Sequence, residues 1–278
     1  MDVCWLGEKG CDRPELVGGK AANLSRLAGG FPVPVGFCLA GWPIEPAALT
    51  PDLVRLLVSA YRRLGERCGV ADLPVAARSS ATDEDGVIAS FAGQHETFLN
   101  VVGADALLAA VSACAASFGS ERARIYRRRH GLPEEPARCS ILVQQLVAAD
   151  VSAVVFSVNP VTGSPEEIVI NASWGLGETV VGGSVTPDAY LVARSDLTLA
   201  RRTIGDKRRM TVAIPGGTEE VAVPRRLRAR SCLDDDQVLD AARLSLDLEE
   251  RMGWPVDVEC AWASGALHLL QCRPITTV

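Results

Sequence analysis

Histidine, methionine and aromatic residues are scarce in this chain of 278 residues. It contains three histidines and three methionines, and Phe, Trp and Tyr together make up 5% of the residues. His95, His130 and His268 are far apart and lack the spacing of metal ligands, which argues against a metal held by histidine. The five tryptophans are too dispersed to predict a platform on which nucleic-acid bases stack.

Long hydrophobic runs are absent as well. No uninterrupted apolar run approaches the roughly 20 residues that a membrane-spanning helix needs, so we expect no membrane contact. Met1–Lys9 has no basic stretch followed by an apolar one and does not resemble a signal peptide. Apolar residues make up 48% and charged residues 22%, a composition typical of soluble globular proteins. It excludes disordered, collagen-like and coiled-coil chains.

Paired cysteine motifs are missing, although the chain holds nine cysteines. No Cys-x-x-Cys pair occurs, so zinc-ribbon and thioredoxin-like folds lack support. Several cysteines lie inside apolar runs, where a free thiol behaves as a small hydrophobic side chain. A reducing compartment is the simplest explanation for an odd number of scattered thiols, and we expect a cytoplasmic protein.

An excess of positive charge is also lacking. Lys and Arg total 28 against 34 Asp and Glu, which gives a formal net charge of −6. This balance argues against a general nucleic-acid-binding protein, because such proteins use Lys and Arg to neutralise phosphates. A local basic pocket remains compatible with it.

Hydrophobic periodicity and capping residues predict helices mainly in the first half of the chain and strands in the second. The first long helix has Thr50 as its predicted N-cap and Pro51 at its first position. Helices are expected within 17–30 and over 50–68, 104–116, 120–130 and 234–252. Strands are expected over 73–77, 141–147, 152–158, 168–171, 189–193, 210–214, 256–263 and 266–272. The fold class is therefore α+β, with two expected lobes, 1–137 and 138–278, that face a cleft.

Gly18, Gly19 and Lys20 are predicted to stand at a helix start. Glycines let a backbone approach a phosphate closely, free N–H groups at the helix end attract anions, and lysine adds a positive charge. A solvated lysine after a glycine turn would explain the same three residues.

A polar loop is predicted directly after the strand over 73–77. It begins with Arg78, Ser79 and Ser80 and continues to Gln94. Arginine can hold phosphate oxygens in a fork, and small hydroxyl residues suit a loop that covers a triphosphate. An ordinary polar surface loop is the alternative. The glycine-containing segment 171–179 suits the lining of a cleft and a plain turn equally well.

The last two predicted strands form a hairpin around a tight turn at 264–265. Asp257 and Glu259 are two residues apart and share one strand face, as do Gln271 and Arg273. Across so short a turn the two pairs can converge on one spot. Carboxylate and amide oxygens suit Mg²⁺, and Arg273 could stabilise charge on a transferring group. The alternative is a cross-strand ion pair between Glu259 and Arg273 on an exposed sheet.

Five stretches carry a family resemblance in a fixed order. They are VGGKAANLSRL with PVPVGF, PVAARSSATDED with SFAGQHETFLNV, SAVVFSVNPVTG, INASWGLGETVVGGSVTPDAY, and DVECAW followed by LLQCRPIT. With them the chain resembles the ATP-binding (pyruvate/phosphoenolpyruvate-binding) domain of the phosphoenolpyruvate synthase, pyruvate phosphate dikinase and rifampin phosphotransferase family. The resemblance covers nearly the whole chain and implies an ATP-grasp-like fold in which two lobes clasp Mg-ATP.

The resemblance also implies roles for residues at matching positions. Lys20 and Arg78 match contacts to the triphosphate, and Arg273 matches the cation on the reacting phosphates, so Arg78 and Arg273 are the expected catalytic residues. Glu259 and Gln271 match ligands of the metal and of the ribose or phosphates. A loop and the segment linking the lobes would complete the nucleotide pocket with Gly93, Thr97, Phe98, Gln144, Gln145 and Leu146. The backbone of the last two would offer adenine a donor and an acceptor.

The implied function is a Mg-ATP-binding phosphotransferase domain or subunit. It would cleave ATP to AMP and phosphate while a histidine on a separate protein accepts the phosphoryl group, because no histidine here lies in the family's phosphohistidine motif. One alternative is a free-standing ATP-grasp kinase or ligase acting on a small molecule, for which the short segment between Phe37 and Leu73 would open the cleft. A binding module without catalysis is the other, and the retained charged residues argue against it.

Overall fold

The computed structural model describes residues 2–42, 49–81, 97–129 and 139–276. The chain divides into two compact units, Met1–Leu146 with Ile214–Gly217, and Val147–Ala213 with Thr218–Val278. Both units contain helices and sheets, which confirms the α+β class. None of the described helices is long and apolar enough to cross a membrane.

The first unit is built on a five-stranded sheet in which every neighbouring pair is antiparallel. Across the sheet the strands are β1 (Asp2–Trp5), β2 (Gly36–Trp42), β5 (Cys139–Gln145), β3 (Val75–Ala81) and β4 (Thr97–Val101). Strand β5 lies at the centre and pairs with both β2 and β3.

Helices cover both faces of this sheet. The helices of this unit are α1 (Pro14–Leu27), α2 (Pro51–Cys68), α3 (Ala104–Phe118) and α4 (Glu121–Arg129), and the first three pack on the sheet. Helices α2 and α3 share a hydrophobic core with alternate strand residues such as Phe37, Val75 and Ile141. Because alternate residues of a strand point to opposite faces, Cys38 lies on the other face, where its thiol contacts the Val17 carbonyl of α1 at 3.6 Å.

The start of α2 is as predicted. Thr50 has an extended backbone, and its Oγ1 accepts a hydrogen bond from the Leu53 N–H at 3.3 Å. Pro51 takes the first helical position, where a missing N–H costs nothing. At the other end Gly69 adopts a left-handed conformation (φ 69°), as helix C-caps commonly do.

Strand β3 is longer than predicted. The sequence places Arg78, Ser79 and Ser80 in a polar loop, and this prediction is wrong because β3 continues to Ala81. The reason is tertiary: β3 pairs with β5 over its full length, and both serine side chains are buried. Strands β1, β2 and β4 were not predicted.

The second unit contains a six-stranded antiparallel sheet. Across the sheet its strands are β13 (Ala266–Pro274), β12 (Val256–Ala263), β6 (Val151–Phe156), β7 (Glu167–Trp174), β8 (Asp188–Ala193) and β9 (Thr198–Thr203). Strands β10 (Arg209–Ile214) and β11 (Gly217–Ala222) form a separate two-stranded sheet.

Helix α7 (Asp235–Met252) packs on the six-stranded sheet, and two single-turn helices, α5 (Glu178–Val181) and α6 (Arg225–Arg228), lie in the connections. The side chain of Asp234 and that of Gln237 cap each other's backbone N–H groups, which forms a capping box. Gly253 ends the helix with φ 77°. The helix predicted over 234–252 is therefore confirmed.

The two units meet in the sequence at Leu146 and Val147, later than the boundary expected at residue 137. The physical reason is that β5 supplies the central strand of the first sheet. Residues 139–146 therefore lie with the first unit.

Candidate functional site

The hairpin of β12 and β13 brings together the charged residues that its spacing predicts. In the antiparallel register Asp257 lies opposite Arg273, and Glu259 lies opposite Gln271. A bulge between Glu259 and Cys260 then shifts the register toward the turn. The predicted convergence of the four side chains on one part of the hairpin is thus confirmed.

Arg273 is held by a carboxylate of the facing strand. Its Nε donates to Oδ2 of Asp257 at 2.8 Å, and both side chains are largely buried. The register places Asp257 directly opposite the arginine, and Glu259 opposite Gln271. The pair of Asp257 and Arg273 is buried, whereas the alternative predicted from sequence was an exposed pair of Arg273 with Glu259. The spacing placed Asp257 in this cluster, but the family resemblance gave a role only to Glu259, Gln271 and Arg273.

Asp257 is also an unusual carboxylate electrostatically. Burial raises the pKa of the Asp257 carboxyl. The positive charge of Arg273 lowers this pKa and the negative charge of Glu259 raises it, and the net shift is upward. Its Oδ1 is buried and has no hydrogen-bond partner among the described residues. A buried carboxylate oxygen without a partner is costly, so this atom fits a cation or a donor supplied by a ligand.

The oxygen atoms of this cluster fit Mg²⁺ only as a partial ligand set. Nowhere in the described part of the chain do three or more His, Cys, Asp or Glu side chains group so as to hold a metal by themselves. Mg²⁺ is commonly bound by one or two carboxylates together with substrate phosphates. Asp257, Glu259 and Gln271 could supply the protein's share of such a set.

In the first unit, Lys20 is buried just after a kink in α1. Helix α1 is two helical segments joined at a kink, where Gly18 has non-helical angles (φ 78°, ψ 164°). Gly18, Gly19 and Lys20 therefore stand where the second segment starts, as the sequence predicts. The Lys20 Nζ donates to the carbonyl of Ser79 at 3.0 Å, and the residue is 6% exposed. Lys20 is therefore not the solvated lysine of the alternative explanation.

Ser80 joins α1 to β3 next to this lysine. Its hydroxyl donates to the Val17 carbonyl at 2.8 Å and accepts from the Ala21 N–H at 3.2 Å. A Cβ on Gly18 would lie 2.4 Å from the Ser80 carbonyl oxygen, so only glycine allows this approach. The Ser80 hydroxyl thus accepts the N–H of Ala21, one of the helix N–H groups that were expected to face a phosphate.

Arg78 and Thr97 are cross-strand neighbours on β3 and β4. They lie on the sheet face that α1 covers, because Ala77 and Phe98, the next pair along, face the opposite way. Phe98 packs against the hydrophobic core of the first unit, which is a structural position. Gly93, the remaining predicted residue of this loop, lies outside the described residues.

The segment predicted to contact adenine is already engaged within the protein. The Gln144 amide donates to the Pro34 carbonyl at 2.9 Å, and the residue is 3% exposed. The N–H groups of Gln145 and Leu146 donate to the carbonyls of Val35 and Pro74, each at 2.9 Å. The prediction that this backbone pair offers adenine an N–H donor is therefore corrected.

Comparison with known proteins identifies the family. Residues 43–278 match the family described as "Pyruvate phosphate dikinase, AMP/ATP-binding domain". The chain belongs to this family. The matched part includes Arg78 and the whole β12–β13 hairpin, whereas Lys20 precedes it.

Two relatives of this pyruvate phosphate dikinase-type domain show how much of a longer protein it represents. A probable phosphoenolpyruvate synthase of Methanocaldococcus jannaschii is 35% identical over 317 aligned residues, covering 99% of this chain and 27% of that protein. A rifampicin phosphotransferase of Streptomyces sviceus is 38% identical over 235 residues, covering 84% of this chain and 26% of that protein. The chain spans less than a third of the length of either relative.

A solved structure similar to the domain is a dinucleotide-forming acetyl-coenzyme A synthetase of Ca. Korarchaeum cryptofilum. The TM-score is 0.42 at 12% identity, with 89% of this chain and 87% of that chain covered. A TM-score of this size carries no argument about topology, and the ATP-grasp-like clasp of two lobes stays a prediction.

Lys207 is a structural residue of this dikinase-type domain. It forms an ion pair with Asp188, and both side chains are fully buried. Asp188 also accepts the N–H groups of Gly205 and Cys232, each at 2.9 Å. This closed network joins β8 to the segments near 205 and 232, which stabilises the second unit.

Proposed function

We propose that the chain is the Mg-ATP-binding part of a phosphotransferase of the phosphoenolpyruvate synthase, pyruvate phosphate dikinase and rifampicin phosphotransferase type. In net terms the β-phosphoryl group of ATP moves to an imidazole nitrogen of a histidine on a separate domain or protein. The terminal phosphate goes to water, and AMP leaves. The observation that carries the proposal is the β12–β13 register, which places one cation and three oxygen-bearing side chains together.

Arg273 would act on the reacting phosphates. Its hydrogen bond to Asp257 fixes the guanidinium on the hairpin in advance. A cation held in place before reaction stabilises developing phosphate charge without the cost of reorganising it. Arg273 is therefore the residue on which we expect phosphoryl transfer to depend most.

Glu259 and Gln271, with the unpartnered oxygen of Asp257, would hold Mg²⁺ together with the ATP phosphates. Held by these oxygens, Mg²⁺ would supply positive charge against the phosphates. The protein's contribution is to keep these oxygens on two paired strands, so that the ligand set does not depend on a flexible loop.

Arg78 and Lys20 would bind the triphosphate from the first unit. Support comes from the sheet face that Arg78 shares with Thr97 and with α1, the helix that carries Lys20. Arginine and lysine supply positive charge and donors for phosphate oxygens. The contact of Gln144 with adenine is also part of this proposal, without a donor role for the N–H groups of Gln145 and Leu146.

A cytoplasmic location is proposed on the state of the cysteines. All nine are free thiols, and seven of them are buried inside the two units, Cys11, Cys38, Cys114, Cys139, Cys232, Cys260 and Cys272. Unpaired thiols persist in reducing compartments.

Phosphorus NMR of Mg-ATP tests the proposal. The purified chain is incubated with ATP alone, with the macromolecular fraction of a lysate, or with its small-molecule fraction. AMP and phosphate that appear only with the macromolecular fraction support a separate protein acceptor. Products with the small-molecule fraction alone contradict it and indicate a free-standing enzyme, and ADP indicates kinase or ligase chemistry.

Two variants make this experiment specific. Arg273→Ala should abolish product formation. Arg243→Ala is the control, because it removes an exposed arginine of α7 that pairs with Asp240 at 3.0 Å. This control variant should leave turnover unchanged. Equal turnover in both variants would show that Arg273 is not part of the site. ATP binding without turnover in any fraction would indicate a binding module.

A further inference from the structure

Strand β4 contains a residue in a backbone conformation that is rare inside a strand. Asn100 has φ 54°, in the left-handed region, and is 7% exposed. Asparagine tolerates this region better than most residues. A non-glycine residue held there needs compensating contacts, and such residues are often found at functional sites.

The pairing of β4 explains the conformation. Val101 lies opposite Val75 and Phe98 lies opposite Ala77, so two residues of β4 face the single Ala76 of β3. This is a β-bulge, and bulges bend a strand and redirect a side chain. Here the side chain that is redirected is the Asn100 amide.

That amide clamps the turn between β10 and β11. Its Nδ2 donates to the carbonyl of Ile214 at 2.6 Å and to that of Gly217 at 2.8 Å. Both partners are carbonyl oxygens, so only the NH2 side of the amide can occupy this position. Pro215 and Gly216 (φ 86°) lie between them, the pattern of a type II turn.

The clamp is contained in the first unit. Ile214–Gly217 groups with that unit, although the chain on both sides of the turn belongs to the second. Asn100 therefore binds the first and last carbonyls of this four-residue segment, which are 114 and 117 positions away in sequence.

We propose that Asn100 is a positioning residue of the nucleotide site, a role that rests on the function proposed above. If the bulge relaxed and regular pairing continued from Val75 and Val101, Phe98 rather than Thr97 would face Arg78. A shift of one residue turns every side chain of a strand to the other face. The clamp of the turn by Asn100 holds the bulge and thereby keeps Thr97 beside Arg78.

Two variants remove the clamp while allowing the backbone conformation. Asn100→Asp keeps the shape but replaces the two donors with a carboxylate that faces carbonyl oxygens. Asn100→Gly accepts positive φ without strain and also lacks the donors, so it serves if the aspartate variant fails to fold. Asn159→Asp makes the same chemical change in the second unit, where the Asn159 amide donates to Glu167 at 2.7 Å.

The test combines hydrogen exchange with nucleotide binding. In both Asn100 variants we expect amides of 213–218 and of β4 to exchange about tenfold faster or more, because the local opening becomes easier. The Kd for Mg-AMPPNP should rise about tenfold, the equivalent of one well-made hydrogen-bond contact, while that for AMP changes less. Asn159→Asp should leave both measurements within about twofold.

Each outcome separates the possibilities. Unchanged exchange at 213–218 in both variants would overturn the clamp. Faster exchange with unchanged Mg-AMPPNP affinity would overturn the positioning role and leave Asn100 as a structural residue. Failure of the unsubstituted chain to bind Mg-AMPPNP would overturn the proposed function, and the exchange data would still judge the clamp on their own.

Discussion

The two units hold their predicted nucleotide residues by different means. In the second unit, Asp257 and Arg273 lie on adjacent strands of one hairpin, and register alone sets them opposite each other. In the first unit, Lys20 and the strand that carries Arg78 are distant in sequence and are joined by hydrogen bonds from Lys20 and Ser80 to backbone groups.

This difference predicts which substitutions should change reactivity and which should change folding. A hairpin keeps its register through backbone hydrogen bonds, so a side-chain substitution there should change reactivity more than folding. The arrangement in the first unit depends on a close approach at Gly18 and on buried side-chain contacts. A substitution at that point should change folding, and binding only as a consequence.

The largest expected effect is the loss of phosphoryl transfer in Arg273→Ala. Removing a preorganised charge from a reacting group costs about 10²–10³ in kcat, and AMP binding should be nearly unchanged because the arginine acts on the phosphates that leave. Single-turnover measurements with Mg-ATP and equilibrium binding of AMP check both halves. A fall in AMP affinity as large as the fall in rate would show that the hairpin had lost its structure.

Gly18→Ala should produce the largest loss of stability in the first unit. The new Cβ would lie 2.4 Å from the carbonyl oxygen of Ser80, at φ 78°. Steric conflict with backbone together with a strained φ should lower the free energy of unfolding by about 3 kcal/mol. Urea denaturation measures it.

Gly10→Ala is the matched control for that substitution. Gly10 also has positive φ (98°), but a Cβ there meets no atom within 4 Å. Only backbone strain is added, so we expect a loss of about 1–2 kcal/mol. Equal losses at the two positions would contradict the close approach between α1 and β3.

Arg78→Ala should weaken Mg-ATP binding about 10- to 100-fold, the worth of a hydrogen bond to a charged group. AMP lacks the two outer phosphates, and its affinity should change far less. Isothermal titration of both nucleotides gives the ratio, with Arg62→Ala on the exposed surface of α2 as the control. Equal losses of affinity for ATP and AMP would show that Arg78 does not contact the triphosphate.

The smallest effect is expected at Glu249, which braces α7 against the segment after β8. Arg194 donates to both carboxylate oxygens, at 3.0 and 2.7 Å. Burial alone would raise the Glu249 pKa, but hydrogen bonds from Arg194 and Ser157 hold it below its ordinary value. A lowered native pKa adds stability at pH values above the unfolded pKa, and this stability is lost as pH falls through the native pKa.

Glu249→Gln should therefore cost about 1 kcal/mol at pH 7, after allowance for partial exposure of the pair. The difference from the unsubstituted chain should shrink as the pH falls through the lowered native pKa of Glu249, because the glutamate then becomes protonated as well. Urea denaturation at pH 7 and pH 3 measures it. A difference that does not depend on pH would show that packing, and not charge, is responsible.

Local signals in the sequence were sufficient where structure is local. The caps of α2 and α7 and the turn at Ser264 and Gly265, both with positive φ, set their elements without distant help. The hairpin site follows from that turn and from the two-residue period of a strand.

Distant contacts explain what sequence reasoning missed. The extension of β3 through Ser80 depends on pairing with β5, and the N–H of Leu146 donates to the carbonyl of Pro74. No local sequence pattern reveals either contact. The importance of Asn100 depends on a turn more than a hundred residues away, and it was not predicted. The spacing placed Asp257 in the hairpin cluster, but it could not reveal the burial that raises the pKa of this carboxyl.

An equilibrium titration of the unsubstituted chain tests the central claim most directly. ATP with Mg²⁺, ATP with a chelator, and AMP are compared by calorimetry. The account predicts that Mg-ATP binds about tenfold tighter than AMP or more, and that removing Mg²⁺ takes away most of this difference. Absence of ATP binding, or equal affinity for ATP and AMP with and without Mg²⁺, would contradict it.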